Sequence, residues 1–148
     1  MKWRLAIVAA ATLAASAITA TAVMPQAPAT PTSLASDSRC FELRTYTAAP
    51  GKLESLHARF RDHTSALFKK HGMTMLGYWV PRDKDKGADN TLVYMLAFPD
   101  CAAREKAWND FRADPEWIKV REASEAAGKI VEKADSVLMT ATDYSPVK

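Results

Sequence analysis

The chain has 148 residues, of which 48% are hydrophobic and 25% are charged, a composition typical of one globular domain. It excludes a collagen-like or coiled-coil array, a polytopic membrane protein and a wholly disordered chain. The formal net charge is only +3, and Lys2 and Arg4 contribute two basic charges at the extreme N-terminus. Because no basic patch stands out from the acidic background, the charge predicts neither a nucleic-acid partner nor an anionic membrane partner.

Residues 1–22 have the layout of a secretory signal peptide. Positive charges at the start are followed by an apolar stretch over residues 5–20 and by the small-x-small cleavage pattern Ala20-Thr21-Ala22. We expect cleavage after Ala22 and export to the periplasm or the extracellular medium, with no stable membrane insertion afterwards. The alternative is an uncleaved N-terminal anchor, for which the apolar stretch is of marginal length.

The segment after the signal peptide differs in composition from the rest of the chain. Residues 23–39 are rich in Pro, Ala, Thr and Ser, which predicts a disordered linker. Residues 40–146 are predicted to form the folded domain. Its alternating residues 41–47 predict a first strand, and apolar residues at helical spacing over 53–71 predict an amphipathic helix.

The helix is expected to end at Gly72. Strands are predicted over residues 73–80 and 91–98, joined by a charged hairpin loop. Asp100 is placed to cap a second helix, and Asp114 followed by Pro115 opens a further one.

Residues 136–142 predict the last strand, which completes the order β-α-β-β-α-(α)-β. This is an α+β, ferredoxin-like arrangement with an extra helix before the last strand. The third strand is predicted to be apolar on both faces: Leu92, Tyr94, Leu96 and Phe98 point one way, and Val93 and Met95 the other. Since the helices can cover only one face of the four-stranded antiparallel sheet, we expect a homodimer with the two open faces packed together.

Several motifs together resemble the NIPSNAP family over residues 41–146. They are residues 41–47 (FELRTYT), Pro50-Gly51-Lys52, Lys70-His71-Gly72, Gly77-Tyr78-Trp79, Asp114-Pro115-Glu116-Trp117 and Tyr144-Ser145-Pro146. The resemblance implies a ferredoxin-like domain of the dimeric α/β-barrel superfamily, whose animal NIPSNAP members are mitochondrial and linked to vesicle transport or mitophagy signalling. The chain departs from the family in its export signal and at Val93-Tyr94-Met95-Leu96, where relatives often carry Trp-Arg-Tyr.

The two cysteines lie at the ends of neighbouring predicted strands. Cys40 precedes the first strand and Cys101 follows the third, and these strands are adjacent and antiparallel in the ferredoxin-like order 4-1-3-2. We therefore expect a disulfide, which suits an oxidising compartment. By chain entropy, closing a loop of about sixty residues contributes on the order of 4 kcal/mol. The alternatives are two free thiols or metal ligation, but there is no CxxC motif or supporting histidine spacing, and we expect no metal site.

Candidate pocket residues begin with a polar trio, Glu42, Arg44 and Tyr46, on one face of the first strand. If the helices cover the opposite face, the trio points between the two sheets of a dimer. Arg44 would then bind an anionic group, and Tyr46 or Glu42 would handle a proton. The alternative is a satisfied ion pair that fixes the register of the sheet or the dimer. The aromatic candidates for the same pocket are Tyr78, Trp79 and Tyr94, whereas Trp108 and Trp117 are expected in the core.

All three histidines lie on the first predicted helix. His57 and His63 are about 240° apart around its axis, so they cannot chelate one ion. His71 lies at the helix end, where the dipole favours a cation. It remains a candidate ligand only because haem-handling relatives of the barrel superfamily use a histidine.

Together these patterns predict an exported homodimer that binds a small aromatic or anionic molecule between its sheets, without a cofactor. Two alternatives remain open. One is a cofactor-independent monooxygenase or isomerase of the dimeric α/β-barrel type, which rests on fold analogy. The other is a protein-interaction module without a pocket, as the animal relatives suggest.

Overall fold

The structure is a computed structural model and describes residues 39–148. The predicted signal peptide and residues 23–38 of the predicted linker lie outside the described residues. The elements in chain order are β1 (Cys40–Ala48), α1 (Leu53–Arg59), a π-helical turn (Phe60–Thr64), α2 (Ser65–Lys70), β2 (Thr74–Trp79), a short 3₁₀ turn (Lys84–Lys86), β3 (Thr91–Phe98), α3 (Cys101–Ala113), α4 (Pro115–Glu125) and β4 (Val131–Met139).

The strands form one antiparallel sheet in the order β2-β3-β1-β4. This is the predicted ferredoxin-like order, with the first and third strands adjacent at the centre. The register places Arg44 opposite both Tyr94 on β3 and Ser136 on β4. Because residues directly opposite in an antiparallel pair share a face, this register decides which side chains meet at the site described below.

The long first helix is confirmed, with one irregularity that the sequence pattern does not show. A π-helical turn interrupts it, in which the Ser65 backbone N–H donates to the Phe60 carbonyl, five residues back. The Thr64 hydroxyl donates to the Arg59 carbonyl at 3.1 Å. The helical run ends at Lys70, with His71 as its C-cap, and Gly72 follows with φ of 73°, a left-handed conformation that glycine adopts without strain.

Both predicted helix caps are confirmed. Asp100 accepts a hydrogen bond from the Ala103 N–H at 2.7 Å at the start of α3. Asp114 accepts one from the Glu116 N–H at 2.8 Å at the start of α4, with Pro115 in the first turn. Each carboxylate therefore satisfies a backbone donor that the helix itself leaves unpaired.

The predicted limits of the last strand are wrong. β4 begins at Val131 and ends at Met139, whereas the apolar pattern predicted residues 136–142. The early part of the strand contains Glu132, Lys133 and Asp135, all exposed. Charged side chains are tolerated there because β4 is an edge strand of the sheet.

The helices pack on one face of the sheet, and the core lies between the two layers. Leu92, Tyr94, Leu96 and Phe98 of β3 are all buried on this covered face. The other face, called the open face below, carries apolar side chains that include Phe41, Leu43, Trp79, Val93, Met95, Val137 and Met139. Val137 is 54% exposed and Trp79 is 51% exposed. Between residues 39 and 148, no helix combines the length and apolarity that crossing a membrane requires.

Candidate functional site

The polar trio of β1 lies on the covered face, and the expectation that it points between two sheets is wrong. Glu42 is fully buried and hydrogen-bonded to Arg104 and Trp108 of α3. Tyr46 packs edge-on against Phe60 of the π-helical turn. The buried carboxylate is tolerated on this face because α3 supplies the donors that it requires.

Glu42 accepts hydrogen bonds from four side chains on three elements. Its Oε1 accepts from Arg44 at 2.8 Å, from Arg104 at 2.7 Å and from the Ser136 hydroxyl at 2.6 Å. Its Oε2 accepts from Arg104 Nε at 2.9 Å and from the Trp108 indole N–H at 2.6 Å. The arrangement joins β1, β4 and α3 through one carboxylate, with a two-pronged pairing from Arg104.

This environment fixes the charge of Glu42. Burial alone would raise the pKa of its carboxyl group, but the donors, Arg104 foremost, lower it from the usual 4.5 to about 2. A carboxylate with so low a pKa and with both oxygens occupied is a poor general base at neutral pH. The satisfied ion pair, one of the two interpretations of the trio, therefore describes Glu42, whose contacts position the arginines.

Arg44 lies between two aromatic rings. Its guanidinium carbon is 4.6 Å from the centre of the Trp108 ring and 5.2 Å from that of Tyr46, within the range of cation–π contacts. Burial alone would lower the pKa of Arg44, but its tyrosine neighbours and the Glu42 carboxylate raise it above its usual value. Arg44 is thus a fixed cation, and its Nε has no hydrogen-bond partner among residues 39–148.

Tyr94 lies opposite Arg44 on β3 and is completely buried. Its hydroxyl, like the Nε of Arg44, finds no hydrogen-bond partner in the described part of the chain. Burial and the neighbouring Tyr46 raise the pKa of Tyr94 well above its usual value, so this hydroxyl stays protonated. The covered face therefore holds two adjacent side chains with buried polar atoms that lack a protein partner. We call Glu42, Arg44, Tyr46, Tyr94, Arg104, Trp108 and Ser136 the Arg44 cluster.

An aromatic cleft of ≈ 390 Å³ adjoins this cluster. It is lined by His57, Phe60, Arg61, Ser65, Tyr78, Trp79, Val80 and Leu92. The rings of Phe60 and Tyr78 lie 5.1 and 5.8 Å from the ring of Tyr94. The two rings that separate the cleft from the Arg44 cluster are therefore in direct contact with Tyr94.

The predicted pocket residues thus divide between the two faces. Tyr78 and Tyr94 join the polar trio on the covered face, whereas Trp79 is on the open face, as the strand alternation between positions 78 and 79 predicted. Because β2 is an edge strand, Trp79 borders the aromatic cleft and also lines, on the open face, an apolar cleft of ≈ 420 Å³ beside residues 140–147. Trp108 is buried as expected, but it belongs to the site as well as to the core.

The predicted disulfide is present. Cys40 and Cys101 are bonded, with their Cα atoms 5.0 Å apart, in the range usual for disulfides. The bond ties the first residue of β1 to the first residue of α3, the helix that carries Arg104 and Trp108. It therefore links β1 and α3, two of the three elements joined through Glu42.

His71 lies away from the Arg44 cluster and joins two helices. Its Nε2 is 2.7 Å from the Asp114 carboxylate, which also pairs with Lys70 at 2.8 Å. These hydrogen bonds lower the pKa of Asp114 below its usual value. The structure thus gives His71 a structural contact at the helix end. Within residues 39–148, no group of three or more His, Cys, Asp or Glu side chains is arranged to hold a metal ion.

Three members of the Arg44 cluster, Arg104, Trp108 and Ser136, were missed as site residues. Arg104 and Trp108 are four residues apart on α3 and share one helix face, so a search for donors facing Glu42 could have found them. Ser136 lies on β4, directly opposite Arg44 of β1. Finding it requires the correct start of that strand.

The NIPSNAP family model matches residues 41–146. The chain belongs to the NIPSNAP family. Among proteins with curated descriptions, none matches this sequence. The family assignment agrees with the ferredoxin-like fold described above.

Solved structures with the same fold include other NIPSNAP proteins. A NIPSNAP family protein of unknown function from Agrobacterium tumefaciens is 22% identical with a TM-score of 0.66, over 78% of this chain and 98% of that one. An uncharacterized NIPSNAP-like domain protein from Burkholderia xenovorans is 17% identical with a TM-score of 0.64, over 74% and 90%. SnoaB, a cofactor-independent oxygenase from Streptomyces nogalater, is 20% identical with a TM-score of 0.50, over 74% and 98%. At these identities the likeness shows a shared fold alone.

Proposed function

We propose that this NIPSNAP protein is an exported homodimer that binds a small aromatic molecule with an anionic or hydrogen-bond-accepting oxygen. The molecule binds on the covered face of the sheet, at the Arg44 cluster and the aromatic cleft beside it. The observation that carries the proposal is the pair of buried polar groups without a protein partner, Arg44 Nε and the Tyr94 hydroxyl. Buried donors are nearly always paired, and one acceptor oxygen of a ligand could satisfy both.

The side chains around Arg44 and Tyr94 indicate the chemistry of the rest of the ligand. The rings of Phe60 and Tyr78, which contact Tyr94, line the aromatic cleft, and such walls favour a flat aromatic body. The fixed positive charge of Arg44 favours an anionic or strongly polarised oxygen. The neutral Tyr94 hydroxyl can donate to that oxygen, while Glu42 holds Arg44 in place.

The homodimer is supported by the open face. Its apolar side chains meet across β1, β3 and β4, with the half-buried Leu43 opposite both the half-buried Met95 and the exposed Val137. A surface of this kind is unfavourable in water and is commonly covered by a second copy of the same chain. Export is supported by the Cys40–Cys101 disulfide, since such bonds persist in oxidising compartments.

The test is native mass spectrometry of the purified protein, with identification of any retained small molecule. We expect an aromatic compound that is lost from Arg44→Lys and Tyr94→Phe. The matched controls Arg82→Lys and Tyr144→Phe, which alter exposed side chains, should retain it. Tyr94→Phe should also raise the unfolding free energy of the ligand-free protein by about 1 kcal/mol, because it removes a buried unpaired hydroxyl. Equal retention by Arg44→Lys, Tyr94→Phe and the controls would contradict the proposed site.

A further inference from the structure

A second cleft lies between the first helix and α4, away from the site proposed above. Its volume is ≈ 610 Å³, and it shares no lining residue with the aromatic cleft or the Arg44 cluster. It is lined by Ser55, Ala58, Arg59, Asp62, His63, Glu116, Lys119, Val120, Ala123 and Ser124. We call it the Arg59 cleft.

Arg59 is fixed in this cleft and is only 6% exposed. Its Nη1 donates to the Ser124 hydroxyl at 3.3 Å and to the Glu125 carboxylate at 3.2 Å. Its guanidinium carbon lies 5.3 Å from the centre of the Trp117 ring. Arg59 directly precedes the π-helical turn, a feature frequent at functional sites.

One edge of this guanidinium has no partner. Arg59 Nε is buried without a hydrogen-bond partner among residues 39–148, and no acceptor in that part of the chain takes a bond from Nη2. The Nε–H and one Nη2–H of a guanidinium point in the same direction from a rigid plane. That edge matches the two oxygens of a carboxylate or a phosphate. Such a group can accept one hydrogen bond on each of its two oxygens from this edge.

The other residues that line the cleft favour a carboxylate over a phosphate. Lys119 and His63 bring positive charge when protonated, and Asp62 and Glu116 bring negative charge. Glu116 is already paired with Lys70 at 3.2 Å. A highly charged phosphate therefore gains little net attraction here. The lining includes three apolar side chains, Ala58, Val120 and Ala123, and they favour a ligand with a short hydrocarbon body.

We propose that the Arg59 cleft binds a small organic acid. Its carboxylate pairs with the Nε and Nη2 edge of Arg59, and its short hydrocarbon body packs against Ala58, Val120 and Ala123. Glu125 and Ser124 hold the guanidinium from the opposite corner, so that the free edge keeps its orientation. This site is independent of the Arg44 cluster and of the ligand proposed for it.

The test is a titration of ¹⁵N-labelled protein followed by NMR, with butyrate, benzoate and inorganic phosphate as separate probes. We expect butyrate or benzoate to shift the Arg59 Nε–H resonance and the amides of Ala58, Val120 and Ala123. Phosphate should shift them far less. Shifts produced equally by phosphate would overturn the assignment to an organic acid, and the absence of shifts with all three probes would overturn the site.

Variants separate the free edge of Arg59 from general charge effects. Arg59→Lys keeps the charge but removes the two-pronged donor, and should weaken binding of the acid about tenfold or more. The matched control is Arg82→Lys, since Arg82 is exposed and lines neither this cleft nor the aromatic cleft, and it should bind as the wild type does. Ala123→Leu, which fills the cleft from an exposed position on α4, should also abolish binding. The Ala123→Leu variant still tests the proposal if Arg59→Lys does not fold. Unchanged affinity in Ala123→Leu would contradict the proposal.

Discussion

The covered face and the open face of the sheet differ in how their side chains find partners. On the covered face, one carboxylate is surrounded by donors from β1, β4 and α3, and aromatic rings fill the remaining space. On the open face, apolar side chains such as Trp79 and Val137 are about half exposed. The difference teaches that polar side chains in a strand do not by themselves mark the solvent-facing or dimer-facing side. A polar side chain of a strand can be buried on the face where neighbouring elements supply hydrogen-bond donors for it.

The largest effect is expected from breaking the polar network of the covered face. Glu42→Ala leaves Arg44 and Arg104 without their shared carboxylate and removes the acceptor for Trp108. The cost should be about 4 kcal/mol of unfolding free energy, as for other buried ion pairs that lose one partner. Urea unfolding measures it. Glu132→Ala, at an exposed acidic position on β4, is the control and should change stability by less than about 0.5 kcal/mol. Similar small losses in both variants would contradict the network.

A slightly smaller loss is expected when the covalent link at the edge of the covered face is removed. The double variant Cys40→Ala, Cys101→Ala should lose about 3 kcal/mol, because the unfolded chain regains the freedom of a loop whose ends are 61 positions apart. This is below the chain-entropy figure of about 4 kcal/mol because unfolded chains retain some residual structure. Urea unfolding of the oxidised wild type, with and without reductant, provides the comparison. If the double variant and the reduced wild type are both as stable as the oxidised protein, the disulfide does not stabilise the fold.

Acid should weaken the covered face in a defined pH range. The folded-state pKa of Glu42 is about 2, below its usual 4.5, so its contribution to stability is fully present above about pH 4.5. It is lost as the pH falls from there towards 2, because the unfolded chain binds the proton first. Glu42→Gln should remove this part of the pH dependence of the unfolding free energy. A variant that keeps the wild-type acid profile would show that other groups are responsible.

A substitution on the open face should have the opposite effect to one on the covered face: it should weaken the dimer and leave the stability of the monomer nearly unchanged. Val137→Glu places a charge on an exposed apolar position, so monomer stability should change by no more than about 0.5 kcal/mol. The dimer should weaken by at least about tenfold, because a charge would have to be buried between the two sheets. Sedimentation velocity over a concentration series measures this. Glu132→Lys, a charge change at an exposed edge position, is the control. A monomeric wild type would contradict the proposed dimer.

Most of the fold could be predicted from local sequence patterns. Alternation identified β1 and an almost wholly apolar run identified β3. The Asp114-Pro115 pair identified the start of α4, and the ferredoxin-like order placed Cys40 beside Cys101. These predictions rest on signals within a few residues of one another, or on strand adjacency that follows from the order of elements. The confirmed strand order shows that such signals can predict the topology of a domain of this size.

The face of the sheet on which the site lies could not be predicted in the same way. Period-two alternation placed Glu42, Arg44 and Tyr46 together, but it is symmetrical between the two faces. The choice depends on Arg104 and Trp108, more than sixty residues later in the chain. The start of β4 was missed for a related reason. Its charged residues are acceptable only at a sheet edge, which is a property of the assembled sheet.

The central claim, that the ligand binds on the covered face, is tested most directly by measuring ligand retention in two variants side by side. Native mass spectrometry of Arg44→Lys and Val137→Glu gives both the retained mass and the number of chains. We predict that Arg44→Lys stays dimeric and loses the small molecule. Val137→Glu should become monomeric and keep it. The reverse result, with the molecule lost on dissociation and retained by the dimeric Arg44→Lys, would place the ligand between the sheets and contradict this account.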